Sequence, residues 1–290
     1  FKIMLLFALA TYPIGGFCQQ IPTINLVMKD GLSSNYVTDI TQDKYGFTWF
    51  ATRYGLNRFD GDKFTVYLKK PDQELLNSND INKIATDTIN NKIWIANRWM
   101  GVNVFDCATQ QFSSFLHDKN CPETLISNEI KDILVTSNGN VWIATNKGLD
   151  LYDSGNSQFI HYNTSTVPNF PSDDIMTLSE GSNGDLYIGH THNGFTIFSP
   201  ENKTLKNFMP SPQNKNSLPG NTVYSIFGLQ PTEDYHFSIP SEKYSAILRI
   251  SMECIIRCKE LLIVSIKPAM VRYGWARYLT FVILTPKIQT

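Results

Sequence analysis

The sequence predicts an all-β fold: a partial β-propeller of about four four-stranded blades, with the start of a fifth and an irregular C-terminal tail. Three observations lead there. Trp49, Trp94 and Trp142, followed by Tyr187, recur at a step in the forties, and Gly55, Gly101, Gly148 and Gly194 keep that step. The stretches Asp43-Lys44-Tyr45-Gly46, Ser137-Asn138-Gly139 and Ser182-Asn183-Gly184 are tight-turn sequences: Asx side chains bond their own backbone there, and glycine supplies positive φ. Up to Phe227 no stretch sustains helical periodicity with caps. A period of this length marks propeller blades or a helical array, and hairpin chemistry inside each unit selects blades.

Each unit opens on a polar start: Ser33-Ser34-Asn35, Ser78-Asn79-Asp80, Ser127-Asn128-Glu129 and Ser172-Asp173-Asp174. An apolar pair three apart follows (Val37/Ile40, Ile81/Ile84, Ile130/Ile133, Ile175/Leu178) and marks the first strand. The aromatic strand comes next. Its alternation is plain in residues 141–145, where Val141, Ile143 and Thr145 share one face and Trp142 and Ala144 the other. A short turn leads to the glycine that opens the third strand, and a fourth strand closes the unit. In the first unit the strands are expected at 37–42, 47–52, 55–59 and 64–67. Such short strands bury only part of their apolar surface alone, whereas blades stacked about an axis bury both faces. The tryptophan is then a wedge between blades. The glycine lets the chain turn back sharply, and Ala51, Ala96, Ala144 and Gly189 keep each blade thin.

The formal charge of −1 excludes a general electrostatic grip on nucleic acid or an anionic membrane. Aromatics at 12% exclude a disordered chain. Residues 1–18 read as an export signal, with Lys2 ahead of an apolar run to Ala10 and small residues up to Cys18. That run is too short to span a bilayer. The missing initiator Met points to a trimmed or wrongly assigned start, and Phe17 before Cys18 makes a poor lipid-anchor box. Five cysteines form no disulfide framework. Cys18 leaves with the signal, and Cys107 and Cys121 either pair in an oxidising compartment or stay separate thiols. Cys254 and Cys258 lack a second ligand pair, so no metal is expected.

Three segments result: the signal at 1–18, the incomplete propeller at 19–227 and the tail at 228–290. The repeat register vanishes in mid-blade after Phe227. The tail has two glycines and no asparagine, with eight Lys or Arg against five Asp or Glu. It reads as an out-of-frame or poorly ordered stretch. The alternative is a genuine C-terminal segment with strands at 261–266 and 278–284. Lys259, Arg272 and Arg277 interrupt its apolar runs, so no membrane span is expected.

The stretch from Asp30 to Tyr67, "DGLSSNYVTDITQDKYGFTWFATRYGLNRFDGDKFTVY", resembles the first blade of the two-component regulator propeller family. "DGLSSN", "GFTWFAT" and "GLNRFDG" carry the resemblance, which extends roughly over residues 26–227. It implies the periplasmic sensor region of a hybrid two-component system of Bacteroides-type gut bacteria. It further implies an oligosaccharide ligand for the intact parent, carbohydrate breakdown products being the ligand class, and leaves a homodimer of the parent open. The kinase, receivers and DNA-binding domain that follow in the family have no counterpart in this sequence. The chain is accordingly expected to be no enzyme, to need no cofactor and to touch no nucleic acid.

No enzyme motif is present: neither His-Glu-x-x-His, nor Gly-x-Ser-x-Gly, nor a phosphate loop. His190 and His192 would point to one side of a strand. His190, however, takes the place of Thr52 and Thr145 in the repeat, which makes it a turn-flanking substitution rather than a ligand. The candidate ligand-binding residues are those of the variable turn between the second and third strands: Arg53 and Tyr54, Arg98 and Trp99, Asn146 and Lys147, His192 and Asn193. Equivalent turns of a propeller share one face, where a rigid scaffold displays variable side chains. Tyr and Trp suit the C–H faces of sugars, and Arg and Asn suit hydroxyls or anions. Ordinary solvated turns are the plain alternative. Two other functions stay open, a propeller that holds a protein partner and a propeller lyase built on His190 and His192.

Overall fold

A computed structural model of the chain describes residues 26–71, 75–181, 184–213, 217–218, 220–229, 234–240, 245–250, 269–271 and 274–276. After a 3-10 turn at Met28–Asp30, sixteen strands form four antiparallel sheets, each a simple meander. The first holds β1 (Val37–Gln42), β2 (Thr48–Thr52), β3 (Gly55–Phe59) and β4 (Phe64–Tyr67). The second holds β5 (Ile81–Asp87), β6 (Lys92–Asn97), β7 (Val102–Asp106) and β8 (Gln111–Phe115). The third holds β9 (Ile130–Val135), β10 (Val141–Thr145), β11 (Gly148–Asp153) and β12 (Gln158–Tyr162). The fourth holds β13 (Ile175–Glu180), β14 (Leu186–His190), β15 (Phe195–Ser199) and β16 (Thr204–Phe208). The expected strand positions of the first unit agree with these bounds, β2 starting one residue later.

The boundary expected after Phe227 falls inside a strand, β17 (Ser225–Leu229). It pairs with β18 (Asp234–Pro240), which pairs with β19 (Ser245–Ile250). A hairpin of β20 (Ala269–Val271) and β21 (Gly274–Ala276) follows. The signal segment, Cys18, Cys254, Cys258 and the strands expected at 261–266 and 278–284 lie outside the described residues.

Alternation on each second strand sends side chains to two different neighbours. Trp142 and Ala144 pack forward on Ile175, Leu178, Ile188 and Phe198 of the fourth blade. Val141 and Ile143 pack backward on Trp94 and Ala96 of the second. Trp49 does the same one step earlier, against Ile84, Ile93 and Phe105, and Tyr187 one step later, against Val223 and Ile226. The wedge is thus a physical contact at every interface, and Trp49, Trp94 and Trp142 are all but fully buried. The small residue beside each wedge is required by space: a Cβ on Gly189 would come within 2.6 Å of Thr177 and 2.9 Å of Val223.

Two backbone devices fix the blades at the turn after the second strand. Gly101 has φ +65°, and a Cβ there would lie 2.3 Å from the carbonyl oxygen of Phe115, so only glycine fits. The N–H groups of Gly55, Gly101 and Gly194 then donate across the interface to the carbonyls of Asn79, Asn128 and Asn221, at 2.8, 3.0 and 2.7 Å. The first strands β1, β5, β9 and β13 touch in succession and form the inner side of the arc. There Lys83 lies 3.7 Å from Asp39 and 3.9 Å from Asp132, and Asp132 accepts the Thr177 hydroxyl at 2.9 Å. These residues occupy one repeat position in four consecutive blades, so the belt ties each blade to the next. Asp132 beside it holds the Lys83 ammonium above its ordinary range.

Candidate functional site

The four variable turns join β2 to β3, β6 to β7, β10 to β11 and β14 to β15. Because the blades stack in register, the turns share one rim of the arc. The structure divides their residues into held and free. Arg53 lies over the Tyr36 ring, 4.6 Å from its centroid. Arg98 pairs with Asp80 at 3.3 Å. Asn146 donates to Glu129 at 2.8 Å and accepts from the Ser127 hydroxyl at 2.7 Å, and Asn193 donates to the Pro171 carbonyl at 2.9 Å. Tyr54 and Trp99 are each 57% exposed, and Lys147 and His192 are exposed as well. The rim therefore carries two exposed aromatic side chains, each preceded in its turn by an arginine that contacts a neighbour, Arg53 on the Tyr36 ring and Arg98 beside the Asp80 carboxylate. Tyr36 and Asp80, the neighbours in question, escaped the sequence reading. Asp80 closes the polar start of its blade and Tyr36 directly follows that of the first, a signal that pointed only to a boundary.

His190 and His192 do not converge. His190 ends β14 fully buried, with Nε2 2.9 Å from the Thr196 hydroxyl. Burial pushes its imidazole down to about 4. His192 stands exposed in the following turn, so the strand geometry that would aim both at one ligand is broken. Cys107 and Cys121 are separate free thiols, and burial pushes the Cys107 thiol up to about 11. Among the described residues no three His, Cys, Asp or Glu side chains gather as a metal site.

One cleft of about 380 Å³ opens on the outer side of the second blade. Its walls are the segment leading in from the first blade (Lys69, Lys70, Leu75), strand β8 (Ser113, Ser114) and Met100, the neighbour of Trp99 in the rim turn. It was not legible as a site in the sequence, because its walls come from separated segments with no shared motif.

The two-component regulator propeller model matches residues 31–54 and 124–147. Over 43 residues the chain is 54% identical to histidine kinase P4 of Formosa agariphila, a stretch covering 15% of this chain and 3% of the kinase. The extracellular domain of a hybrid two-component system of B. thetaiotaomicron is 34% identical with a TM-score of 0.67, over 78% of this chain and 31% of that one. PorZ, a surface component of the type-IX secretion system of Porphyromonas gingivalis, is 14% identical with a TM-score of 0.51, over 69% of this chain and 30% of PorZ, and shares the fold alone. The chain thus spans under a third of the first structural relative and a small part of the kinase. The same four-stranded meander recurs in four blades, and the two-component regulator propeller repeat is matched at the first and again at the third.

Proposed function

We propose that this chain is sensor-propeller sequence of an exported hybrid two-component system, and that its rim of variable turns reads carbohydrate outside the cytoplasm. The observation that carries the reading is the pairing of exposed aromatic side chains with arginines: Tyr54 beside Arg53, and Trp99 beside Arg98. An aromatic face takes the apolar C–H side of a pyranose, while a guanidinium donates to hydroxyls or an acidic group. Likeness to an extracellular domain supports the location. The phosphorelay and gene-control output belong to the parent system in this reading.

Titration of oligosaccharides against the Arg98→Ala/Trp99→Ala variant tests it. Loss of binding with unchanged folding is expected; unchanged binding removes the rim as the ligand site. A lyase reading has little footing, since His190 is buried and committed to Thr196.

A further inference from the structure

The third strand of each blade carries a buried polar residue: Asn57, Asn103, Asp150 and Thr196. On the fourth strand these face Val66, Ser114, His161 and Asn207. In the first two blades the asparagine itself holds the segment that enters the blade, its Oδ1 accepting the N–H of Ser33 or Asn77, each at 2.8 Å. In the last two the fourth-strand residue carries a tie across. Asn207 accepts the Thr196 hydroxyl at 2.9 Å and donates to the Asn169 carbonyl at 3.3 Å. His161 stands in the same place in the third blade, with Asp150 Oδ1 2.6 Å from Nδ1 and the Pro122 carbonyl 2.6 Å from Nε2. Of these four ties it is the one whose members titrate.

The proton count follows from the partners. A carbonyl and an ionised carboxylate both only accept, so an imidazole between them needs an N–H on each nitrogen. Moving the shared proton to the carboxylate leaves the count unchanged, so the pair titrates as a unit. Without that proton the ring has one N–H and gives up one partner. The Asp150 hydrogen bond raises the proton affinity of the ring above its ordinary range, and burial raises that of Asp150. The tie is therefore full in mild acid and lost as pH rises through the raised value. The charged group facing the ring from β11 is Asp150. On the entry segment His117 acts on Asp150, and its Nδ1 lies against the Leu125 carbonyl. Asp118 accepts the Asn120 N–H at 2.9 Å, Glu123 lies 3.4 Å from Cys121 Sγ, and Lys119 is exposed.

The entry segment is joined to the rim. The Ile126 N–H donates to Asp150 Oδ2 at 2.9 Å and the His117 N–H to Asn128 Oδ1 at 2.8 Å. The Asn128 carbonyl accepts the N–H of Gly101, two residues past Trp99. We propose that Asp150 and His161 form a proton-operated clamp. With its proton the clamp pins residues 117–126 to the outer strands of the third blade; without it that segment loosens and takes the Gly101 turn of the rim with it. The clamp works in this way whatever the rim binds.

Hydrogen–deuterium exchange of the full 290-residue chain at pH 6 and pH 9, corrected for intrinsic rates, tests it. The amides of Cys121, Ile126 and Phe159 bond Asp118, Asp150 and Glu123. They lose about tenfold or more of their protection at pH 9, as expected for one charge-assisted bond. Gly101 follows, and the amides of β14 do not. Asp150→Thr/His161→Asn copies the fourth blade and makes the protection equal at both pH values. His161→Asn alone serves if the double variant does not fold. His117→Asn leaves the pH dependence in place. Equal protection of the wild-type segment at both pH values overturns the proposal. So does a pH dependence that survives in the His161 variants, or one that disappears with His117→Asn. A Gly101 amide unmoved while the entry segment opens overturns the link to the rim.

Discussion

A single aromatic wedge decides each interface, an indole at the first three, and the three indoles are not equivalent. Trp49 Nε1 donates to Asp43 at 2.8 Å inside the protein, whereas Trp94 Nε1 is buried with no hydrogen-bond partner among the described residues. Trp49→Phe therefore leaves a buried Asp43 oxygen unsatisfied and is expected to cost about 1–3 kcal/mol beyond the packing change. Trp94→Phe loses no hydrogen bond and should cost visibly less in urea unfolding. Trp142→Ala removes the wedge between the third and fourth blades outright, and a loss of about 3–5 kcal/mol is expected in the same assay. The wedge was legible because the large residue recurs and the small one beside it, Ala51 or Gly189, recurs with it. Its hydrogen bonding was not, since nothing in the strand distinguishes Trp49 from Trp94; the difference lies in what the preceding turn supplies.

At the scale of the element, the segment that enters the third blade is held by histidines. His117 Nδ1 lies 2.6 Å from the Leu125 carbonyl, and His161 stands between Asp150 and Pro122. With an acceptor at each ring nitrogen, His161 is best satisfied as the imidazolium. The Asp150 hydrogen bond raises its proton affinity above the ordinary value. A folded-state pKa above the unfolded one gives stability that is full below the unfolded value, about 6.5, and is lost as pH rises through the folded value. The unfolding midpoint should therefore fall between pH 6 and pH 9, and His161→Asn should flatten that slope. Strand positions and turn positions could be read locally, since each rests on neighbours within a few residues. The clamp could not: His161 and Pro122 are thirty-nine residues apart, and only the register of β11 on β12 places His161 opposite Asp150. The rim follows the same rule. The turns were found from the repeat, but the commitment of Asn146 to Ser127 and Glu129 depends on a contact across the blade.

For the whole molecule, the face of the first blade that points away from the second stands out. Ile40, Phe50, Phe59 and Phe64 lie there half-buried, with Val66 38% exposed, and no described blade covers them. Their counterparts in the second blade, Ile84, Ile95 and Phe105, are buried under the preceding wedge. An apolar sheet face of this kind associates. The chain should run as oligomers in light scattering, and Phe50→Lys should shift it toward monomer without lowering its melting temperature.

The glycine-to-asparagine bonds between blades carry a mechanical meaning. Each blade contacts its immediate neighbours, through an aromatic wedge, the first-strand belt and, after the first, second and fourth blades, a glycine latch, so load applied along the chain passes from one interface to the next. Stretched between two handles by optical tweezers, the protein should yield as a sawtooth. Each tooth should release one repeat, about 160 Å of extended chain, rather than a single cooperative rupture.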